Sequence, residues 1–307
     1  MIVSLFVGIY VARYLGPEQF GLLSYTLSFV WLFSSLASFG LDDLLVRELV
    51  KFPERRKALL GTVFWLKIGG TVIMCSLITI VLSFAENDQQ TELMVALIAL
   101  GFFFQATNVI DFYFQARVQS KFSVRAQTFQ LISTSLFKIY LILNHAELVW
   151  FAFALMLDQL VVAVSFLVVY RREIEWFSFF IFRWHQAKKL IRDAWPLIFA
   201  GLVVSIYMKI DQVMLKEMLD IKAVGIYAAA VKLCEVWYFL PTAVLASLFP
   251  AILEARKRGD FIYKERIQKL YDLMIWGALA IALPTTLLAD WVIHIFYGTA
   301  FQEASSV

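Results

Sequence analysis

Eight ionisable side chains lie in or near long apolar runs: Lys67, Lys138, Lys209, Lys232, Asp111, Asp158, Asp211 and Glu235. A charge at the centre of a membrane helix costs roughly 2.5–3.5 kcal/mol on insertion scales. Summed over these side chains, exposure to lipid would cost on the order of 20 kcal/mol, more than a domain's net stability. They must face a wet cavity, pair with one another, or reach an interface. Lys67 and Lys138 lie near run ends, where the stem of a lysine reaches the headgroups. Asp111 lies close to Arg117, which suits an interface pair. Asp158 sits in mid-run beside Gln159. Lys209 and Asp211 are deep in one run and two residues apart, so they point to different faces and do not pair with each other. Lys232 and Glu235 are three apart and share a face. They form either a self-contained buried pair or two charges set into a cavity. Gln127, Gln130 and Thr134 follow a 3–4 spacing and make one polar stripe. That stripe serves either a polar path or hydrogen bonding between helices.

The elements that position these residues follow from composition. Of 307 residues, 61% are apolar, 16% aromatic and 17% charged. Soluble domains carry about 25% charged residues. The balance excludes an ordinary soluble enzyme and a disordered chain. A net charge of +3 gives no reason to expect nucleic acid as a partner. Cys75 and Cys234 each lie inside an apolar run, and His145, His185 and His294 are far apart. No metal or cofactor is implied.

A spanning helix needs about 20 mainly apolar residues. Nine runs answer that description, near 1–13, 20–41, 60–84, 93–114, 126–143, 148–170, 195–215, 225–250 and 271–297. The fold class expected is therefore an all-α polytopic membrane protein with nine transmembrane helices. The first run lacks the basic start and small-residue cleavage site of a signal peptide. The connectors alternate in charge. Segments 42–60, 115–126, 171–194 and 254–270 hold 20 of the 27 lysines and arginines. Positive loops stay in the cytoplasm. The N-terminus is thus expected inside and segments 14–19, 85–92, 144–147, 216–224 and the C-terminus outside. Residues 171–194 mix six basic residues with Trp176, Phe177, Phe179, Phe180, Phe182 and Trp184. This reads either as an amphipathic segment on anionic lipid headgroups or as a plain linker. It divides the chain into a six-helix lobe at 1–170 and three helices at 195–307.

The sequence also resembles itself. Leu15–Gly21 lies over Leu219–Gly225, and Glu54, Arg55, Leu59 and Trp65 lie over Glu265, Arg266, Leu270 and Trp276. Helices 1, 2 and 3 thereby fall on helices 7, 8 and 9, as parallel repeats. A six-helix first lobe implies a six-helix second lobe, so the sequence reads as an incomplete 6+6 protein.

Arg13-Tyr14-Leu15-Gly16-Pro17-Glu18-Gln19-Phe20-Gly21 resembles the first-loop signature of polysaccharide flippases of the multidrug/oligosaccharidyl-lipid/polysaccharide exporter superfamily. Asp211-Gln212-Val213-Met214 with Gly225–Ala230, Pro250, and Tyr297-Gly298-x-x-Phe301-x-x-Ala304 are similar to later features of that family. The resemblance implies two helix bundles around a cavity open alternately to either side, in the bacterial cytoplasmic membrane. It implies a lipid-pyrophosphate-linked oligosaccharide as cargo, for surface polysaccharide such as O-antigen, with a polysaccharide polymerase as a possible partner. In such a cavity Lys209, Lys232 and Lys138, with Gln127, Gln130 and Thr134, would line the substrate path. Asp211, Glu235 and Asp158 would be the coupling acids. Three other readings stay open: a drug or cation exporter of the same superfamily, a membrane-embedded polymerase or glycosyltransferase, and an inactive fragment. The outer connectors before the C-terminal tail are too short for a catalytic loop, which favours a transporter over an enzyme.

Overall fold

The computed structural model describes residues 2–84, 88–173 and 181–307. Residues 174–180, the aromatic middle of the expected linker, lie outside the described residues. Every regular element among the described residues is a helix. Hydrocarbon offers backbone N–H and C=O groups no partner, so each spanning segment must satisfy them internally.

The elements are α1 (Ile2–Leu32), α2 (Ser34–Ser38), α3 (Asp42–Lys51), α4 (Arg56–Phe84), α5 (Gln89–Gln105), α6 (Val109–Ala116) and α7 (Lys121–Leu143). They continue with α8 (Leu148–Glu173), α9 (Trp184–Met218), α10 (Ile221–Glu235), α11 (Phe239–Arg258), α12 (Asp260–Leu287) and α13 (Ala289–Tyr297). Single 3-10 turns join α5 to α6 and α10 to α11.

α1 is two limbs. Gly16 stands between them at φ 71° and ψ 173°, a conformation that strains any residue with a Cβ. Pro17 then opens the second limb with its φ preset and no N–H to satisfy. The family signature at 13–21 is thus the hinge between the first two apolar runs. The second run, expected as one helix over 20–41, is interrupted. The chain turns at Phe33, and Phe39 and Gly40 take φ of 53° and 58°. The helical path through Val3–Leu32 and Ser34–Lys51 bends by 46° there.

Six helical segments are long and apolar enough to cross a membrane, or up to seven with the bent pair counted as one span. They are 53–84, 89–116, 148–171, 184–218, 221–245 and 260–287. α7 is not among them, because Gln127, Gln130, Lys138 and its hydroxyl residues lower its hydropathy. α9 and α12 begin eleven residues before the apolar runs they contain, taking in charged sequence. The second half of the expected linker is therefore the first three turns of α9. At 35 residues, α9 is about 52 Å long against a hydrocarbon core of about 30 Å, so its charged end extends beyond the lipid. α12 has no buried residue, and Trp276 and Leu283 on it are 71% and 60% exposed. Such a surface is untenable in water and ordinary in lipid. The chain is a multi-pass membrane protein.

The helices group into two compact units, residues 18–224 and residues 1–17 with 225–307. The expected division at 171–194 is not where this grouping cuts. The first limb of α1 groups with α10 to α13, and α9 groups with α2 to α8.

In the larger unit, α8 packs on α5 and α7, α2 packs on α4 and α9, and α3 packs on α6. Its core joins Leu41, Leu45, Leu60, Val63, Ile110, Phe114, Phe166, Tyr170 and Ala187, none more than 2% exposed. Tyr113 and Tyr170 meet edge to face, their rings 6.2 Å apart. Close approach of α2 and α4 depends on Gly70. A Cβ there would lie 2.3 Å from the carbonyl oxygen of Leu36 and 2.5 Å from the Phe39 ring. A Cβ on the neighbouring Gly69 would meet nothing within 4 Å. Gly70→Ala should therefore destabilise the protein by about 1–3 kcal/mol through overpacking, and Gly69→Ala should not. Thermal unfolding of the two purified variants in detergent checks this, with the Gly70 variant melting lower.

Candidate functional site

α7 places Gln130, Thr134 and Lys138 four residues apart, on one face. That face meets α8 at Asp158. The Lys138 ammonium donates to Asp158 Oδ2 at 2.6 Å, and Gln130 Nε2 donates to Asp158 Oδ1 at 2.9 Å. Gln130 Nε2 also lies 3.4 Å from Thr134 Oγ1, which itself donates to the Gln130 carbonyl at 2.9 Å. Both carboxylate oxygens are therefore occupied as acceptors. The Lys138 and Asp158 side chains are 20% and 17% exposed. The structure thus joins four of the residues singled out from sequence. It differs from the expectation for Lys138, which turns inward to Asp158 instead of outward to the headgroups. Gln127 is exposed and has no part in the network.

Lys67 differs in the same way. It is 4% exposed, with its ammonium 2.6 Å from Asp42 Oδ1 and 4.9 Å from the centre of the Phe112 ring. The Asp42 side chain is 43% exposed, and solvent weakens the pair accordingly. Glu48, only 8% exposed, faces Lys189 at 3.5 Å. Asp111 accepts from Gln115 Nε2 at 3.0 Å, while Arg117 donates to the Tyr113 hydroxyl at 2.6 Å. The sequence distance between partners hid the first two of these pairs. The acids of α3 looked like part of a basic loop.

α9 meets the second limb of α1 and α2 through small polar residues. Ser28 Oγ donates to Gln212 Oε1 at 2.8 Å, and Ser34 and Ser205 lie 3.4 Å apart. On the same helix, Lys209 and Asp211 are half-buried. Asp211 Oδ1 accepts from the Gln212 amide at 2.8 Å, and both charged residues have further partners.

In the smaller unit, the Lys232 stem of α10 lies across Gly8 of α1. A Cβ on Gly8 would stand 2.3 Å from the ammonium nitrogen. The glycine is thus the space that lets Lys232 lie flat. Glu235 is half-buried one turn on, and neither charge is without a partner. Arg13 Nη1 lies 3.5 Å from the carbonyl oxygen of Ile295. Tyr297, Phe301 and Ala304 are 2%, 0% and 3% exposed around Gly298, whose φ is 81°. A Cβ on Gly298 would lie 3.9 Å from Arg13 Nη2, so the first-loop signature and the Tyr297–Ala304 signature adjoin at Arg13. Leu15 and Phe20 are buried and Glu18 is exposed, so the first-loop signature serves the chain's own turn.

Compensated charges thus sit inside apolar helices, on an all-helical membrane frame. The structure is similar to a solved structure described as the inward-facing conformation of a multidrug resistance MATE family transporter of the MOP superfamily. The TM-score is 0.69 at 16% identity, over 99% of this chain and 75% of that one. The chain belongs to the polysaccharide biosynthesis protein family, whose model matches residues 1–256. This is a family of the multidrug/oligosaccharidyl-lipid/polysaccharide exporter superfamily, as the first-loop signature implied. No curated protein sequence matches the chain significantly.

The Lys138–Asp158 pair makes a definite forecast. Lys138→Met or Asp158→Asn alone leaves a partner uncompensated in a low-dielectric setting. Each should cost roughly 3 kcal/mol, the lower end for breaking a buried pair, because both side chains keep some exposure. The double variant should recover much of the loss. Melting temperatures of the three variants test this, and additive losses would show the two charges to be independent.

Proposed function

We propose that the protein flips a lipid-pyrophosphate-linked oligosaccharide from the cytoplasmic to the outer leaflet of a bacterial inner membrane, for surface polysaccharide assembly. The observation that carries this reading is the match of residues 1–256 to the polysaccharide biosynthesis family. The frame is nine spans, counting each limb of α1 and α7, with the N-terminus in the cytoplasm. Its helices follow a plan of two bundles built on parallel repeats. Alternating access moves the cargo. Lys209 and Lys232 offer positive charge to a pyrophosphate crossing the hydrocarbon region, where an unpaired anion costs several kcal/mol. Asp211 and Glu235 are the acids that take up the coupling proton. Lys138, Gln130 and Thr134 hold Asp158 in the first lobe, which makes that network a support of the path. The basic end of α9 sits on anionic headgroups, and a polysaccharide polymerase receives the product.

A second reading is export of drugs or cations, since the similar solved structure is described as a multidrug transporter. Everted vesicles separate the two. Flippase activity predicts uptake of a labelled lipid-linked oligosaccharide without ethidium transport. Ethidium transport alone overturns the proposal. Polymer made by the purified protein would place it among the polymerases instead. Within the flippase reading, Lys209→Ala should cut uptake several-fold at matched protein levels, and Lys209→Arg should retain part of it. Orientation is tested by single cysteines at Gln89 and Lys188 in a background without Cys75 and Cys234. Both positions are exposed. Gln89 should label from outside intact cells and Lys188 should not. Labelling of both from one side would remove the topological basis of the proposal.

A further inference from the structure

The chain passes between its two units at Pro17–Glu18 and at Val224–Gly225. Both crossings fall in segments that the internal repeat superimposes, Leu15–Gly21 and Leu219–Gly225. A sequence repeat and a grouping of helices thus select the same two turns.

The turns share a local plan. At the first, Gly16 holds φ 71° and ψ 173°, a region open essentially to glycine alone. Pro17 then starts the next helical limb without an N–H to satisfy. At the second, Leu219 ends α9 at φ −125° and ψ −108°, outside helical geometry. Asp220 caps α10, its Oδ1 accepting from the Ala223 amide at 2.7 Å. The repeat lays Gly16 over Asp220 and Pro17 over Ile221, so the residue before each new helix coincides. Each turn is a short non-helical step between helices that end and begin independently. Hinges are built this way, because a few residues at element ends take up the whole φ/ψ change.

The helices beside each turn are fastened to one unit. α9 is held to the larger unit along its length. Lys189 faces Glu48 of α3, and a Cβ on Gly40 would lie 2.8 Å from Leu197 Cβ. A Cβ on Gly201 would lie 3.0 Å from Ser35 Cβ. The Ser34–Ser205 and Ser28–Gln212 contacts follow, and the Lys216 ammonium lies 4.7 Å from the centre of the Tyr25 ring. From Lys189 to Lys216 the helix rises about 40 Å. The first limb of α1 is held to the smaller unit. Phe6 and Phe296 have ring centres 6.2 Å apart, Lys232 lies across Gly8, and Arg13 reaches Ile295. The connector at 171–194 is not a crossing. The Arg183 amide donates to Thr62 Oγ1 at 3.1 Å, which returns the chain to α4 of the unit it left.

We propose that the turns at Gly16–Pro17 and Leu219–Asp220 are a matched pair of hinges. About them, residues 18–224 and residues 1–17 with 225–307 move as two bodies. α9 then travels with α2 to α8, and the first limb of α1 travels with α10 to α13. The inference rests on the transporter reading only in requiring that the units move. Its test involves no cargo, so its failure and that of the flippase reading are observed separately.

The test is double electron–electron resonance on the full chain in phosphatidylglycerol nanodiscs, with pairs of spin labels in a background without Cys75 and Cys234. Tyr10, Leu136, Val203 and Ile275 are exposed and take the labels. The pairs Leu136 with Val203 and Tyr10 with Ile275 lie within units, and each should give one narrow distance. The pairs Val203 with Ile275 and Tyr10 with Leu136 cross between units, and each should give a broad or double distribution. A hinge at 171–194 makes the opposite forecast, with the first two pairs broad and the last two narrow. That result overturns the proposal, as do four narrow distributions or four broad ones. Gly16→Ala supplies an independent check. A Cβ there meets nothing within 4 Å, so the change acts on backbone torsion and not on packing. It should shift the Tyr10 to Leu136 distribution and leave the two pairs within units where they were. A shift confined to Tyr10 with Ile275, or no shift in any pair, overturns the proposal.

Discussion

Hydrocarbon does not solvate charge, and this constraint organises the polar half of the molecule. A lysine in a soluble protein can leave a poor site by turning toward water. Lys138 has no such exit along α7 except its full stem length, and it takes Asp158 on α8 instead, at 2.6 Å. Gln130 then completes the carboxylate, and Thr134 is shared with Gln130. One charge has thereby fixed the facing residues of two helices. The same logic draws Lys67 of α4 to Asp42 of α3 and Glu48 of α3 to Lys189 of α9. Neutralising partners across helices do for the polar positions what close packing does for the apolar ones.

Small residues do the complementary work. Between lipid-facing helices there is no hydrophobic driving force, so contact rests on close backbone approach and hydrogen bonds. Gly70 brings α4 onto α2, and the Ser28–Gln212 and Ser34–Ser205 contacts join α9 to the segment before it. α9 therefore groups with residues 18–224, while the first limb of α1 groups with residues 225–307. Under the repeat read from sequence, those two helices occupy equivalent positions. Each groups with helices of the opposite half. Gly16 and Pro17 allow this for α1, because a hinge between its limbs frees the first to follow different neighbours from the second.

Much of this was legible beforehand. Apolar runs of membrane length announce themselves, and the alternating basic connectors gave an orientation to test. The family resemblance at 13–21 held. Helix ends were not legible where charged sequence continues a helix past the lipid. In α12 the Glu265–Lys269 pair at 2.7 Å supports a turn that hydropathy alone reads as loop. The break at Phe33–Gly40 was hidden for the opposite reason, since an apolar run carries no mark of a turn made by Phe39 at positive φ. Charge partners were the least legible. Lys67 and Lys138 stood near run ends, where snorkelling suffices, and their acids lie 25 and 20 residues away in sequence, on other helices.

That error separates the charges by role. A lysine whose ammonium already lies against a carboxylate, as Lys67 and Lys138 do, has its field cancelled locally and offers little to a moving anion. Such a pair stabilises one arrangement of helices and resists being opened, because opening leaves two buried charges unpaired. Substrate recognition is better served by cations whose neighbours leave a net charge. Arg56 and Arg183, which border one cleft with Arg55 and Glu54, pair with no carboxylate among the described residues. An ion pair between helices must hold one geometry, and it sits on facing helix surfaces.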